Sequence, residues 1–437
     1  MSSSPSLIEI IGTVCFALAV LHTFSVGFFQ KMAHKYKEGS IGENLCHFLG
    51  EVEVVFGLWA GIFVGIYSLT MGFAIYDDAH HVIAGGLHYL ESQNFTEPGF
   101  VFVIMCMAAT RPIILLAGNI IRTASKVLPF SSKMSFYISA LVVGPILGSF
   151  ITEPAAMTVT SLILVEYFYS HKMSTRFKYA TIGLLFVNVS IGGTLTHFAA
   201  PPVLMVASKY GWGMDYMFLH FGWKAAIAIV TSTAIYTYIF RKELDGNLVS
   251  GDEHEARMNP TWWMYLAHIL FIGLTVYTSH HLVFFAGLFL FFIGFVKVTE
   301  EYQDKLKLRE SLLVGFFLGG LVVLGSIQKW WLQDVLVMLG DLPLYFGATA
   351  LTAITDNAAL TYLGSLVDLS ETAKYYLVAG AVTGGGLTVI ANAPNPAGYG
   401  MLKDRFEGGL ISPLKLLLAA LFPTIVSICC FLLLPSF

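Results

Sequence analysis

Residues 354–362 read ITDNAALTY, and residues 151–159 read ITEPAAMTV. The isoleucine, the first threonine, both alanines and the second threonine recur at the same spacing, and Asp356 takes the place of Glu153. Similarity of this kind at a long separation marks an internal repeat. We therefore expect two related halves, each with one acidic residue in an apolar setting.

A second pair of motifs supports the same repeat. Residues 192–202 read GGTLTHFAAPP, and residues 384–394 read GGGLTVIANAP. In each half this motif follows the acidic one, and its glycines and prolines are residues that interrupt helices. We expect an unwound helix in each half, at the backbone of Gly192, Gly193, Gly384 and Gly385.

The composition is that of a membrane protein that crosses the bilayer several times. Of 437 residues, 56% are hydrophobic and 12% are charged, against roughly 25% charged residues in soluble domains. The formal net charge is −4, and neither a basic tract nor a phosphate-binding glycine loop occurs. These features exclude nucleic acid and leave the lipid bilayer as the expected partner.

The hydropathy profile predicts an all-α fold of two repeats, residues 1–240 and 260–437, joined by a polar linker at 241–259. Four apolar regions are interrupted by the motifs, and these lie at 134–169, 179–207, 343–367 and 374–402. Uninterrupted spans are expected at 7–29, 50–75, 99–121, 218–240, 261–279, 282–298, 311–328 and 413–435.

Basic residues beside short loops indicate which loops are cytoplasmic. By this rule the region 134–169 begins and ends in the cytoplasm, whereas 343–367 begins and ends outside, and a single crossing can do neither. We expect two re-entrant hairpins with Glu153 and Asp356 near their tips. About five further crossings in each half make the repeats inverted copies. Both termini would then lie outside a bacterial inner membrane.

The hairpin tips and unwound helices are expected to form one site near the middle of the membrane. A carboxylate there costs about 2.5–3.5 kcal/mol on insertion scales, so it points to function. Loss of water favours the neutral carboxyl group, which lets H⁺ compete with a cation. Oxygen ligands suit a hard cation such as Na⁺. The expected ligands are Glu153, Asp356, Asn357, Thr152, Thr355, Thr196, Thr388 and Asn392.

Other roles are open for several of these polar residues. Glu153 and Asp356 could instead cap the hairpin helices, as acidic residues often do. Glu51 and Glu53 are two positions apart and point to different sides of a helix, so at most one readily faces the interior. Further accessory candidates are Arg111, for which a structural ion pair with one of these glutamates is expected, and His197, which could carry protons or pack.

The motifs as a set resemble the ion transporter superfamily, which includes sodium/proton antiporters, arsenite exporters and sodium-coupled dicarboxylate carriers. The carriers have neutral hairpin tips, whereas the tips here contain Glu153 and Asp356. The Thr355-Asp356-Asn357 tip instead resembles the Asp-Asn of the antiporter and arsenite branches. The resemblance therefore implies cation/proton exchange, as in the sodium/proton antiporter group. One departure from the carriers is Ala199-Ala200 where they have Gly-Thr. The resemblance also implies a homodimer.

Residues and resemblance together predict a secondary transporter, not an enzyme, that exchanges Na⁺ or Li⁺ for H⁺ by alternating access. Monovalent cations are its expected partners, with Na⁺ bound by the predicted ligands and no cofactor besides the transported ions. One alternative is a transporter of a metalloid oxyanion or an organic acid in the same fold. Another is a membrane enzyme or receptor without transport.

Overall fold

The computed structural model describes residues 5–171, 173–248 and 258–435. The predicted linker 241–259 therefore falls partly outside the described residues, at 249–257. The α-helices before residue 249 are α1 (Leu7–Ala33), α2 (Ile41–Leu49), α3 (Val52–Met71), α4 (Gly86–Glu91), α5 (Thr96–Ala108), α6 (Arg111–Ser125), α7 (Ser132–Ile151), α8 (Glu153–Leu164), α9 (Thr175–Gly192), α10 (Pro201–Tyr210), α11 (Met214–Met217) and α12 (Trp223–Ile239).

The second half has a similar succession of helices. They are α13 (Trp262–Tyr277), α14 (Leu282–Val298), α15 (Leu308–Gly325), α16 (Lys329–Val337), α17 (Asp341–Thr352), α18 (Asn357–Ser365), α19 (Glu371–Gly384), α20 (Asn395–Leu402) and α21 (Pro413–Leu433). Short π-helical turns at Val165–Tyr169 and Phe218–Gly222 extend α8 and join α11 to α12.

Six described helices are long and apolar enough to cross a membrane, which confirms an all-α integral membrane protein. They lie at Leu7–Ala33, Val52–Met71, Ser132–Ile151, Met214–Ile239, Leu308–Leu336 and Pro413–Leu433. The region predicted as a span at 99–121 contains two helices in the structure. Helices α5 and α6 meet there at a bend of 68°, and Pro112 fits the first turn of the new helix.

A small antiparallel ribbon interrupts the helical pattern between α3 and α4. Strand β1 (Ile75–Tyr76) pairs with strand β2 (Val82–Ala84). Asp77 closes the turn between them, because its Oδ1 accepts hydrogen bonds from the backbone N–H groups of Ala79 and His81, at 2.9 and 2.8 Å.

The described chain forms two compact units. The smaller unit comprises Met1–Phe102, Leu308–Met338 and Tyr362–Asp368. Within it α3 and α15 cross at two glycines, where a Cβ at Gly320 would lie within 2.6 Å of the backbone at Gly57. Arg309 also pairs with Glu51 at 2.7 Å. The rest of the chain forms the larger unit, which contains all eight predicted cation ligands and the four motif glycines.

In the larger unit α7 and α8 form a helical hairpin with Thr152 at its tip. Gly144 lies against the Thr160 side chain, and one turn nearer the tip Gly148 lies against Ala156. The residue numbers rise on one helix as they fall on the other, so the two helices run antiparallel. The small residues at these positions let the two backbones pack closely beneath the tip.

In each half, the helix before the acidic motif packs in parallel with the helix that is broken at the Gly-Gly motif. In the first half α7 runs alongside α9, with Asn188 Nδ2 donating to Leu141 O at 2.8 Å and Gly192 against the Pro145 carbonyl. In the second half α17 runs alongside α19 in the same manner. There Gly380 lies against the Tyr345 carbonyl and Gly384 against the Thr349 carbonyl.

Candidate functional site

The tip of the first hairpin has a strained backbone. Thr152 adopts φ 72° and ψ 151°, in a region of backbone conformation that a β-branched residue seldom occupies. Its side chain is 2% exposed and its hydroxyl has no hydrogen-bond partner among the described residues. Such strain costs about 1–3 kcal/mol and tends to occur at functional positions, where the surroundings hold it in place.

Glu153 follows directly as the first residue of α8, and it is completely buried. Asn392 Nδ2 donates to its Oε2 at 2.9 Å. The other carboxyl oxygen, Oε1, has no hydrogen-bond partner within the described ranges. The acidic residue of the first half therefore meets the unwound segment of the second half, with one oxygen still available.

Space for this carboxyl group comes from the first unwound helix. The backbone leaves α9 after Gly192 and makes a short 3-10 turn at Gly193–Leu195. A methyl group at Gly193 would lie 2.6 Å from Glu153 Oε1 and 2.7 Å from Glu153 Cγ. No residue larger than glycine fits there without moving Glu153, which explains the glycine at position 193.

The unwound helices of the two halves also meet each other. Ser190 Oγ donates to Val382 O at 2.7 Å, and Gly385 lies against the Ser190 hydroxyl and the Asn357 amide group. Asn357 is fully buried, and its side-chain nitrogen and oxygen both lack hydrogen-bond partners in the described chain. Its backbone N–H donates to Ala391 O at 3.1 Å.

Asn395 is a site residue that the sequence reasoning missed. Its Nδ2 donates to the carbonyls of Gly385 and Thr388 at 2.7 and 2.8 Å, so it holds the second unwound segment in a tight loop. Its Oδ1 is buried without a partner among the described residues. An asparagine just after the Ala-Asn-Ala-Pro sequence was the available signal, but its partners lie seven and ten positions earlier.

Asp356 has a different environment from its counterpart Glu153. Its Oδ1 accepts hydrogen bonds from the backbone N–H groups of Ala358 and Ala359, at 2.8 and 3.1 Å, and so caps the start of α18. A carboxylate is stabilised there by the positive end of the helix. Asp356 is half-buried and lies within range of an electrostatic interaction with Glu153.

The hydroxyl groups of the predicted site mostly bond to backbone carbonyls. Thr196 donates to Ser149 O at 2.6 Å, Thr388 to Ala353 O at 2.8 Å and Thr355 to Leu351 O at 2.9 Å. The first two bonds join each unwound segment to the stretch of chain just before the acidic motif of the same half. These hydrogen bonds hold the backbone in place, and each threonine oxygen still has lone pairs that can accept a hydrogen bond or contact a cation.

The accessory candidates have separate surroundings. Arg111 donates to Met258 O at 2.6 Å, and Glu51 pairs with Arg309, so each has a partner other than the one expected for it. Glu53 is half-buried in the smaller unit. His197 is half-buried beside Phe198, with 5.6 Å between the ring centroids.

Lys224 is a second residue that the sequence reasoning missed. It lies in the apolar region predicted at 218–240, is 1% exposed and donates to the Tyr375 hydroxyl at 2.8 Å. Its ammonium group also lies 4.7 Å from the centroid of the Tyr375 ring, within the range of a cation–π interaction. The sequence feature that could have identified it is a single basic residue that follows Trp223 and precedes a long apolar run.

Five buried oxygens of the site have no hydrogen-bond partner in the part of the chain that the structure describes. A buried acceptor that is left without a partner costs about 1–3 kcal/mol, which a bound ion or proton would remove. Among the described residues no group of three or more His, Cys, Asp or Glu side chains is placed to hold a metal ion. The unpartnered oxygens belong to Thr152, Glu153, Asn357, Asn392 and Asn395.

The sequence also matches a known protein family. A family model described as "Putative Na+/H+ antiporter" matches residues 7–434. The chain belongs to this antiporter family. No curated protein matches it in sequence. Family membership confirms the resemblance to the sodium/proton antiporter group, and it implies a cation/proton transporter of the membrane rather than an enzyme.

Proposed function

We propose that the protein exchanges Na⁺ or Li⁺ for H⁺ by alternating access, with Glu153 as the group that carries the proton. The observation that carries this proposal is the Glu153 carboxyl group. It is fully buried, fixed through Oε2 by Asn392, and left with an unpartnered Oε1 beside Gly193. One oxygen is held and the other can take a proton or contact a cation.

The transport of the cation is coupled to that of the proton because both compete for one carboxyl group. A cation is attracted to the charged form of Glu153, so its entry requires that the proton leave. A proton that returns to Oε1 removes this charge and releases the cation. Asp356 adds a second negative charge to the surroundings and favours cation over anion as the substrate.

The remaining ligands in the proposal are amide and hydroxyl oxygens. Asn357, Asn392 and Thr152 have buried polar atoms without partners in the described ranges, and Thr196, Thr355 and Thr388 present hydroxyl groups. Unwound backbone at both Gly-Gly motifs adds carbonyl oxygens, as in other broken-helix ion sites. A set of hard oxygen ligands around one or two carboxylates suits a small monovalent cation.

Alternating access in this proposal moves each hairpin motif together with its broken helix against the other helices. The parallel packing of α7 on α9 and of α17 on α19 supports that grouping. We further propose that the two halves are inverted repeats in a bacterial inner membrane, with both termini outside and with a homodimer as the assembled form. The recurrence of both motifs and of their helix pairing in each half supports the repeat.

The test is sodium-dependent dissipation of an imposed pH gradient in vesicles that contain the purified protein. Glu153→Gln keeps the size of the side chain and an oxygen for Asn392 but cannot lose a proton, so exchange should be abolished. Asp356→Asn keeps an oxygen for the helix cap and removes the charge, and it should also abolish exchange. Exchange at the wild-type rate by both variants would refute the proposal.

Two controls complete the experiment. Glu310→Gln removes an exposed acidic side chain elsewhere and should leave exchange unchanged. Na⁺, Li⁺ and K⁺ are added in turn to the wild-type protein, and the first two should collapse the gradient without any other solute. A requirement for an added metalloid oxyanion or organic acid would instead favour transport of that solute.

A further inference from the structure

A basic cavity opens at the end of the larger unit where α9 and α21 begin. It has a volume of about 640 Å³. The first residues of both helices line it, and Ser174 and Ser412 cap them. Helices α9 and α21 run side by side from this point, since Gly183 packs against the backbone of Ala419 further along. Both helix starts therefore border the same cavity. The positive end of α21 faces it, whereas the Glu243 carboxylate already bonds to Ser174 at the start of α9.

Basic side chains strengthen this positive field. Lys178, Arg405 and Lys415 line the cavity, and Glu407 is the acidic lining residue. Lys178 Nζ donates to Arg405 O at 2.8 Å, which holds the two basic residues close together. The Arg405 side chain also repels the Lys178 ammonium group, and a bound anion would offset that repulsion. The cavity is thus suited to a phosphate or another compact anion.

A second, apolar cavity of about 490 Å³ adjoins the first. The two share Thr175, Tyr179 and Lys415 among their lining residues. The apolar one continues between α9, α12 and α21, and its wall includes Ile239, Leu418 and Phe422, which are 49%, 58% and 38% exposed. A ligand that filled both would have an anionic end and a hydrocarbon end.

Tyr179 forms the wall between the two cavities and is firmly held. Its hydroxyl accepts a hydrogen bond from Ser412 N at 3.0 Å, and its ring packs on Phe406 at a centroid distance of 4.9 Å. The Lys415 ammonium group lies over the Tyr179 ring, 5.5 Å from its centroid. The junction therefore has a fixed aromatic surface, and Lys415 is placed to reach a ligand on either side.

We propose that these cavities bind an anionic phospholipid, with its phosphate beside Lys178, Arg405 and Lys415 and its acyl chains in the apolar cavity. Charge complementarity selects an anion, and the adjoining apolar wall selects a lipid over free phosphate. Basic pockets between membrane helices commonly bind anionic head groups in this way. The bound lipid links α9, α12 and α21, so it stabilises the larger unit.

The experiment measures the thermal unfolding midpoint of the full-length protein in detergent while phosphatidylglycerol is added. The midpoint should rise and saturate with phosphatidylglycerol, and it should not rise with phosphatidylcholine or with inorganic phosphate at the same concentrations. The triple variant Lys178→Gln, Arg405→Gln, Lys415→Gln should need at least tenfold more phosphatidylglycerol for the same shift. An equal shift with phosphatidylcholine, or one with phosphate alone, would overturn the proposal.

A matched triple variant separates a specific site from general attraction to basic protein. Lys126, Lys242 and Lys305 are exposed basic residues elsewhere, and their replacement by Gln removes the same charge. This control should respond to phosphatidylglycerol as the wild type does, and an equal weakening in it would refute the site. If the first triple variant does not fold, Lys415→Gln alone is compared with Lys126→Gln by native mass spectrometry. Fewer bound phosphatidylglycerol molecules are expected only in Lys415→Gln, and equal numbers would refute the proposal.

Discussion

Replacement of Gly193 by alanine tests the geometry of the proposed site directly. The added methyl group would lie 2.6 Å from Glu153 Oε1 and 3.1 Å from Ala200 Cβ, well inside normal contact distances. Overpacking of this kind costs about 1–3 kcal/mol. The end of the Glu153 side chain can move more easily than the backbone, so we expect the carboxyl group to shift and its hydrogen bond to Asn392 to lengthen.

The expected functional loss follows from that bond. A hydrogen bond to a charged group is worth about 1.5–3 kcal/mol, which corresponds to a roughly tenfold to hundredfold loss in apparent cation affinity. We expect Gly193→Ala to raise the sodium concentration for half-maximal pH-gradient dissipation by this factor. Gly118→Ala is the control, because a methyl group at Gly118 meets no atom within 4 Å. Wild-type sodium dependence in Gly193→Ala would refute the argument.

Three further predictions concern the backbone around the site. Thr152→Gly should be more stable than Thr152→Ala by about 1 kcal/mol in thermal unfolding, because only glycine adopts the positive φ at this tip without strain; equal midpoints would contradict this. Asn395→Ala loses the hydrogen bonds to the carbonyls of Gly385 and Thr388, which should lower the free energy of unfolding by about 1–3 kcal/mol. It should also weaken the sodium dependence of exchange. Unchanged exchange would show that the loop keeps its shape without these bonds. Thr388→Val loses one neutral hydrogen bond to Ala353 and should cost only about 1 kcal/mol in the same unfolding measurement.

The sequence could predict most of the helices and the breaks within them. Long apolar runs gave the spans, and Gly192-Gly193 and Gly384-Gly385 gave the ends of α9 and α19, because these signals are local. The repeat also led to the prediction that Glu153 and Asp356 share a site, since the two residues could be matched without any knowledge of contacts, and this stays a prediction. The inverted arrangement of the halves stays a prediction from the positions of the basic loops.

Other features depend on contacts that no local pattern encodes. The break before Arg111 was missed because the hydropathy of α5 and α6 is continuous, although Thr110 and Pro112 are typical of a helix start. The sequence could not decide whether Asp356 caps a helix or faces the site, because both roles use the same residue. Asn395 went unnoticed because its importance lies in which carbonyls the folded loop presents to it.

The close contacts of α17 with α19 constrain how this part of the molecule can move. Gly380 and Gly384 are one helical turn apart, and each lies against a backbone carbonyl of α17. A small slide of one helix along the other would drive a carbonyl into the neighbouring side chains. The next arrangement in which glycine again meets carbonyl lies a full turn away, about 5.4 Å along the axis. We therefore expect α17 and α19 to move as one rigid unit if this half of the protein changes conformation.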